Sequence, residues 1–349
     1  MIPRKTLTHN EKLVFFTLVK KPHLNDRQIS EDTGIKLSTV TAIRRRLQAN
    51  GHYQTVRVPN MQKLGFELLV VGYGPLSIKD RGSSAQKLVE QALTSPKEIF
   101  LSAHSSDTAF FLAATKNYTS AKRMIESLQH ILSDHDVAET WHFAFFPFEI
   151  SSILNFFNCS NIMETTFHMG DKTKSLGLEF SPNKKEKLTL KEKKVMKALV
   201  QFPDSPDNLI AQKSGASRQG VSAMRKRFEA SGLLHTLRMP DFQLLGYEIF
   251  VIAHTLFNPK MTIGERGEGI NYVIEKVPQM FIASGNFENI LMAASRNYEE
   301  YTALKNDLLG LYRKHDFIRK EPQITLIPLS EMRFMKNHDY GDLLKSHWK

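Results

Sequence analysis

Residues 33–68 read TGIKLSTVTAIRRRLQANGHYQTVRVPNMQKLGFEL, and residues 214–249 read SGASRQGVSAMRKRFEASGLLHTLRMPDFQLLGYEI. A constant offset of 181 residues aligns the two stretches without a gap and makes 14 of the 36 positions identical. Identity at this density indicates an internal repeat, which decides how the rest of the chain divides. We therefore predict that the protein is a tandem duplication of one sequence module.

The length and composition favour a globular chain with several domains. It has 349 residues, of which 41% are hydrophobic and 23 are phenylalanine, enough to bury a core in each of two or more domains. Cys159 is the only cysteine, which excludes an internal disulfide and favours a reducing compartment. No charge-free apolar stretch reaches the ~20 residues of a membrane-spanning helix. We expect a cytoplasmic protein with no membrane partner.

The positive charge is concentrated in the first third of each copy. Residues 1–65 hold 12 basic and 4 acidic side chains, and residues 182–246 hold 13 and 6, against a net charge of +11 for the chain. The remaining residues are therefore net acidic. A cationic segment at the same place in both copies favours nucleic acid as the partner.

Three helices are expected in this cationic segment. Thr8 and Glu11 have the spacing of a capping box at a helix N-terminus, and the same pair recurs in copy two. Gly34 is expected to close a second helix, and Ser38 to cap a third. Apolar residues recur in the third helix every three or four positions and form a buried stripe. They are Val40, Ile43 and Leu47 in copy one, and Val221, Met224 and Phe228 in copy two.

Short alternating runs follow, HYQTVRV at residues 52–58 and LLHTLRM at residues 233–239, and each stops at a proline. They are typical of a two-stranded wing, so each segment is predicted to be a winged helix-turn-helix whose third helix enters the major groove of DNA. Small side chains there let the backbone approach the bases, and Gln, Arg and Lys donate to base edges or phosphates. The candidate DNA-binding residues are Ser38, Thr39, Thr41, Ala42, Arg44, Arg45, Arg46, Arg57, Arg218, Gln219, Ser222, Ala223, Arg225, Lys226, Arg227 and Arg238.

The rest of each copy predicts strands and helices in the order β-α-β-β-α-β. In copy one the strands are FELLVVGYGPL, EIFLSAH, TAFFLAAT and ETWHFAFFPFEI. This order is that of a ferredoxin-like domain. We therefore predict an α+β protein with two copies of a winged helix-turn-helix followed by a ferredoxin-like domain. The expected boundaries are 1–65 (first winged helix-turn-helix), 66–150 (first ferredoxin-like domain), 151–187 (linker), 188–246 (second winged helix-turn-helix), 247–333 (second ferredoxin-like domain) and 334–349 (C-terminal tail).

These features resemble the Lrp/AsnC family of feast-famine transcription regulators. STVTAIRRRLQANGHY at residues 38–53 is similar to that family's recognition helix and wing, and SGNFENIL at residues 284–291 is similar to its glycine-containing hairpin. Copy one has SAHSSDTAFF at residues 102–111 in place of the glycine hairpin. The resemblance implies an archaeal or bacterial transcription regulator that binds double-stranded promoter or operator DNA as a single-chain pseudo-dimer. It also allows a small-molecule effector and a homodimer.

Two other functions stay open. Siroheme decarboxylases also resemble Lrp/AsnC proteins and occur as fused pairs, but neither hairpin has the His-Asn-Tyr and arginine with which they hold an acidic tetrapyrrole. The other alternative is a protein-interaction module without DNA binding, which the retained positive charge disfavours. His104, His142 and His168 lack the spacing of metal ligands. We expect a DNA-binding protein with no metal, no cofactor and no enzymatic activity.

Overall fold

The computed structural model describes residues 7–78, 83–133, 137, 140–169, 185–262 and 264–348. Its elements follow one order, α-α-α-β-β-α-β-β-α-β-β-α, twice. The first series is α1 (His9–Lys20), α2 (Asp26–Thr33), α3 (Leu37–Ala49), β1 (Tyr53–Pro59), β2 (Leu68–Pro75), α4 (Ser84–Thr94), β3 (Ile99–His104), β4 (Thr108–Thr115), α5 (Tyr118–Ser133), β5 (His142–Pro147), β6 (Ser152–Phe156) and α6 (Ser160–Phe167). The second series is α7 (Leu190–Gln201), α8 (Asp207–Ser214), α9 (Arg218–Ala230), β7 (Leu234–Pro240), β8 (Ile249–Leu256), α10 (Gly267–Lys276), β9 (Gln279–Ser284), β10 (Glu288–Ser295), α11 (Tyr298–Lys314), β11 (Gln323–Pro328), β12 (Arg333–Lys336) and α12 (Tyr340–His347). None of the helices in the described ranges is both long and apolar enough to cross a membrane.

The elements form two compact units, each assembled from three separate stretches of chain. Unit 1 consists of Met1–Val56, Ile153–Glu179 and Thr236–Ser330. Unit 2 consists of Arg57–Ser152, Phe180–His235 and Glu331–Lys349. Unit 1 therefore combines the first three-helix domain with the second ferredoxin-like domain, and unit 2 combines the second three-helix domain with the first ferredoxin-like domain.

The three-helix domains begin and turn where their local sequence predicts. The Thr8 hydroxyl accepts a hydrogen bond from the backbone N–H of Glu11, and the Glu11 carboxylate accepts one from the backbone N–H of Thr8, which completes the capping box of α1. Helix α7 has the same reciprocal box. Gly34 ends α2 with a left-handed φ of 71°, a conformation that costs glycine little. These expectations are confirmed.

The third helices bury the expected stripe but differ in their caps. Val40, Ile43 and Leu47 are buried in α3, and in α9 Val221 and Phe228 are buried whereas Met224 stays partly exposed. Ser38 does not cap α3, because that helix begins one residue earlier, at Leu37, and has no side-chain cap. Ser217 does cap α9, where its hydroxyl accepts a hydrogen bond from the N–H of Gly220.

Strands β1 and β7 pair with each other, which differs from the two-stranded wing expected within each copy. In unit 1 the His52 carbonyl accepts a hydrogen bond from the N–H of Asp241, and in unit 2 the Leu233 carbonyl accepts one from the N–H of Asn60. Both strands end at a proline, which has no N–H to continue a ladder, and the chain then turns directly toward β2 or β8. Each copy therefore supplies one strand here.

The two five-stranded sheets carry the ferredoxin-like order. The strand order is β11-β8-β10-β9-β6 in unit 1 and β12-β3-β4-β2-β5 in unit 2, and the central strands are antiparallel. Four strands of each sheet, with the two helices between them in sequence, form the predicted β-α-β-β-α-β arrangement. The α+β fold predicted from the hydrophobic pattern is confirmed.

The fifth strand of each sheet comes from a segment outside the four-strand pattern. In unit 1, β6 lies beside β9, and α6 packs against α1. In unit 2, β12 pairs antiparallel with β3, and α12 packs against α7. The segments expected as linker and tail therefore hold a strand and a helix that connect a sheet to a three-helix domain. Residues 170–184 of the linker lie outside the described residues.

Aromatic rings fill the core of the ferredoxin-like domain in unit 2. The Phe111 ring lies so close over Gly72 that a Cβ at residue 72 would approach its Cε1 to 2.3 Å. The Trp141 ring covers Gly74 in the same way, 2.7 Å from a Cβ placed there. The two rings stack with their centroids 6.1 Å apart. Both glycines are therefore required by close packing.

Candidate nucleic-acid interface

The basic triplets of the two third helices lie away from their buried stripes. Arg44, Arg45 and Arg46 lie on α3, and Arg225, Lys226 and Arg227 occupy the same places on α9. The first residue of each triplet is partly buried, and the second and third are exposed. The three positions therefore have different surroundings, and these surroundings are the same in both domains.

The first arginine of each triplet binds the N-terminal residue of the second helix. Nη1 of Arg44 lies 2.6 Å from Oδ1 of Asp26, and the Thr41 hydroxyl donates to the other carboxylate oxygen at 2.8 Å. In unit 2, Nη2 of Arg225 lies 3.1 Å from Oδ2 of Asp207. Burial alone would raise the pKa of Asp26, but the hydrogen bonds from Arg44 and Thr41 and the nearby arginine charges outweigh it and hold that pKa below its ordinary value.

The third arginine of each triplet binds the capping-box glutamate of the first helix. Nη2 of Arg46 lies 2.6 Å from Oε1 of Glu11, and Nη2 of Arg227 lies 2.5 Å from Oε1 of Glu192. The two arginine side chains remain 52% and 53% exposed. They therefore hold the third helix to the first and still present charge to solvent.

The middle residues, Arg45 and Lys226, are exposed and belong to two surfaces that we name by unit. Recognition surface 1 consists of the exposed α3 residues Ser38, Thr39, Ala42, Arg45 and Arg46. Recognition surface 2 consists of the exposed α9 residues Arg218, Gln219, Ala223, Lys226 and Arg227. Thr41 and Ser222, also expected as DNA contacts, are partly buried at the edge of these surfaces.

The two strand arginines expected to contact phosphates are buried. Arg57 is 7% exposed and Arg238 is 8% exposed. Arg238 donates a hydrogen bond to the Thr55 hydroxyl and lies over the Tyr53 ring, 5.8 Å from its centroid. Because these strands pair with each other, the side chains of Arg57 and Arg238 are enclosed, and neither residue belongs to a recognition surface.

Sequence reasoning missed the carboxylates that bind the triplets. Asp26 precedes Arg44 by 18 residues, and Asp207 precedes Arg225 by the same number. Glu11 and Glu192 each precede their arginine by 35 residues. An acid-to-arginine spacing that recurs in both copies was the available signal, because charge pairs at equal separations in a repeat indicate a shared contact.

These contacts predict different effects for neighbouring arginines. Arg44→Ala is expected to lower the free energy of unfolding by about 1–2 kcal/mol, because it removes the charged partner of the half-buried Asp26 carboxylate, which keeps its hydrogen bond from Thr41. Arg45→Ala, the matched control on the same helix, is expected to change it by less than about 0.5 kcal/mol. Urea denaturation followed by far-UV circular dichroism compares the two variants. Equal losses would show that Asp26 does not depend on Arg44.

A metal site would need several donor side chains close together. Within the ranges that the structure describes, no three His, Cys, Asp or Glu side chains are placed to hold a metal ion. The single thiol, Cys159, is buried, and burial raises its pKa far above the ordinary range.

No family model matches the sequence, and no curated protein matches it. The crystal structure of the siroheme decarboxylase NirDL matches over 97% of this chain and 97% of that chain, with a TM-score of 0.52 and 13% sequence identity. The structure of E. coli AsnC covers 40% of this chain and 92% of its own, with a TM-score of 0.32 and 12% identity. An AsnC-family transcriptional regulatory protein from Pyrococcus furiosus covers 40% and 89%, with a TM-score of 0.31 and 14% identity.

The NirDL match corrects the prediction that the chain has no enzymatic activity. That prediction rested mainly on the absence of the His-Asn-Tyr with arginine from both hairpins. An enzyme has the same fold over 97% of both chains, so the architecture is compatible with catalysis. At 13% identity the match establishes the fold.

Proposed function

We propose that the chain is a transcription regulator that binds double-stranded DNA sequence-specifically through recognition surfaces 1 and 2. The observation that supports this most is the exposed cation at the same position of both third helices, Arg45 and Lys226, three residues after an exposed alanine. An alanine lets the helix backbone approach the groove floor, and the cation one turn later donates to a guanine edge or a phosphate. The neighbouring arginines hold the helices in place.

The two surfaces have different chemistry, so the proposed site is asymmetric. Ser38 on α3 corresponds to Gln219 on α9, and Arg45 corresponds to Lys226. Glutamine forms a bidentate pair of hydrogen bonds with adenine, whereas serine hydrogen-bonds to several different bases without a strong preference. Arginine forms a bidentate pair with guanine, whereas lysine supplies a compact charge. The two half-sites are therefore expected to differ in sequence.

Selection from a random duplex pool tests the proposal. The full chain is expected to enrich a paired, asymmetric motif. Its affinity, measured by fluorescence anisotropy at two salt concentrations, is expected to fall with a log–log slope of roughly −0.9 per phosphate contact. A selection that enriches no sequence, with equal affinity for every duplex, contradicts the proposal.

Single substitutions on the two surfaces separate the half-sites. Arg45→Ala and Gln219→Ala are each expected to cost about 1–3 kcal/mol of discrimination at one half-site and to leave the other unchanged. Anisotropy on duplexes mutated in one half-site at a time measures this. A loss spread evenly over both half-sites would mean that the surfaces do not act separately.

The proposal also includes the partners implied by the family resemblance. A regulator of this kind would act in the cytoplasm, and a small-molecule effector and a homodimer are its expected partners. Sedimentation of the full chain, alone and with selected duplex, tests the homodimer. A single species at the mass of one chain under both conditions contradicts it.

Decarboxylation of siroheme is the second candidate function, supported by the likeness to NirDL over the whole chain. The hairpin sequences at residues 102–111 and 284–291 lack the His-Asn-Tyr with arginine expected of that activity. Mass spectrometry of siroheme incubated anaerobically with the full chain tests it. Loss of carbon dioxide at catalytic turnover would establish the enzyme, and unchanged siroheme would reject it.

A further inference from the structure

A cavity of about 60 Å³ lies in unit 1 between the sheet and helix α11, and it opens to solvent. Its wall is almost entirely apolar. The strands β8 and β10 contribute Val251, Ala253, Leu291 and Ala293, and helix α11 contributes Tyr301 and Lys305. A cavity with an apolar lining and few polar groups favours an apolar ligand whose orientation those polar groups determine.

The corresponding place in unit 2 is filled by the protein's own aromatic rings. In the register of the paired strands, Ala253 lies opposite Leu291 in unit 1, and Gly72 lies opposite Phe111 in unit 2. Pro322, immediately before β11, lines the cavity, whereas Trp141 stands immediately before β5. The rings that stack over the glycines of unit 2 are thus replaced in unit 1 by smaller side chains, and space remains where they would lie.

Lys305 adds a positive charge to the apolar wall. It is the eighth residue of α11, and the eighth residue of α5 is Ile125, which is 2% exposed in the core of unit 2. Its ammonium group lies 5.9 Å from the centroid of the Tyr301 ring. An apolar residue at one helix position is therefore replaced by a cation beside a cavity, an arrangement that suits a ligand with an apolar body and an anionic end.

We propose that this cavity binds a small aromatic monocarboxylic acid, with its ring where unit 2 has Phe111 and Trp141 and its carboxylate at Lys305. The cavity volume of about 60 Å³ limits how much of the ligand's aromatic ring can be enclosed. A closed cavity of about 150 Å³ binds benzene, and this cavity is smaller but opens to solvent, so it encloses one edge of a single ring while the rest of the ligand lies at the opening. The carboxylate and ammonium form a charge-assisted contact at the opening.

Calorimetric titration of the full chain with benzoate, without DNA, tests the proposal, and toluene serves as the uncharged probe. Benzoate is expected to bind at one site per chain. Lys305→Met is expected to weaken benzoate about tenfold and to leave toluene unchanged, because only the charged contact is lost. Lys314→Met removes a lysine from the exposed end of the same helix and is expected to change neither.

Filling the cavity provides the second arm. Leu291→Phe combined with Ala253→Gly recreates the unit 2 pair in unit 1 and is expected to abolish binding of both probes while circular dichroism remains unchanged. Ala293→Leu fills the same cavity from a neighbouring position and is used if this double variant does not fold. Absence of saturable benzoate binding to the native chain overturns the proposal, as does undiminished binding to a folded cavity-filled variant.

Discussion

Gly72→Ala is expected to lower the free energy of unfolding of unit 2 by about 3 kcal/mol, at the upper end of the usual cost of overpacking. The new Cβ would stand 2.3 Å from Cε1 of Phe111, a fully buried ring with Trp141 stacked beside it. The Phe111 ring has no free space to move into, so a neighbouring strand or helix of unit 2 must shift instead. Both tryptophans of the chain, Trp141 and Trp348, belong to unit 2, so urea denaturation followed by tryptophan fluorescence reports on this unit.

Unit 1 supplies the compensating change. Its pair at the same register is Ala253 with Leu291, so Gly72→Ala combined with Phe111→Leu recreates that pair in unit 2. The double variant is expected to be more stable than the sum of the single losses implies, by at least ~1 kcal/mol, because the clash disappears. Gly310→Ala in unit 1 is the control, since a Cβ there meets no atom within 4 Å, and it is expected not to lower the unfolding free energy that the tryptophans report for unit 2. If the losses of unfolding free energy in the two single variants simply add in the double variant, the close contact with Phe111 is not the reason that residue 72 is a glycine.

Lowering the pH from 7 to 4 is expected to cost unit 2 about 3 kcal/mol through His338 alone. This side chain is buried, and burial lowers its pKa to about 3 from the ordinary 6.5. The unfolded chain therefore binds the proton first as the pH falls below about 6.5, and stability decreases until the pH reaches about 3. The Nδ1 atom of His338 lies 3.2 Å from the Tyr340 hydroxyl, so the neutral ring is held among buried groups.

His338→Asn tests this assignment. Asparagine tolerates the positive φ of 55° at this position and does not titrate. The variant is less stable at pH 7, but the decrease in its unfolding free energy between pH 7 and pH 4 is expected to be smaller than in the native chain. His23→Asn removes an exposed histidine and is expected to leave the pH profile unchanged. Identical profiles for the native chain and His338→Asn would mean that other groups cause the acid sensitivity.

Local signals in the sequence predicted the local parts of the fold. Thr8 with Glu11, and Gly34 at its helix end, act over a few residues, so the spacing alone was sufficient. Short apolar runs separated by helical stretches predicted the four strands of each ferredoxin-like domain. The pairing of β1 with β7 was not predictable in this way, because alternation identifies a strand without identifying its partner.

The candidate site was predicted at the level of the helix but not of the individual arginine. The repeated triplets pointed to α3 and α9, but the roles of Arg44 and Arg46 depend on Asp26 and Glu11, which lie 18 and 35 residues earlier in the chain. Arg57 was expected at the surface because a strand after a recognition helix usually forms an exposed wing. Its burial follows from a strand partner that is distant in sequence.

The exchange of segments between the two units has a consequence for the nascent chain. Unit 1 includes residues up to Ser330 and unit 2 includes Glu331–Lys349, so neither unit can be completed before synthesis has passed residue 330. Val56 emerges about 180 residues before Thr236, which at the usual rate of synthesis is a wait of roughly 10–40 s. Throughout that interval β1 has no partner strand, so its unpaired backbone N–H and C=O groups are exposed to pairing with another polypeptide, a hazard against which chaperones protect nascent chains.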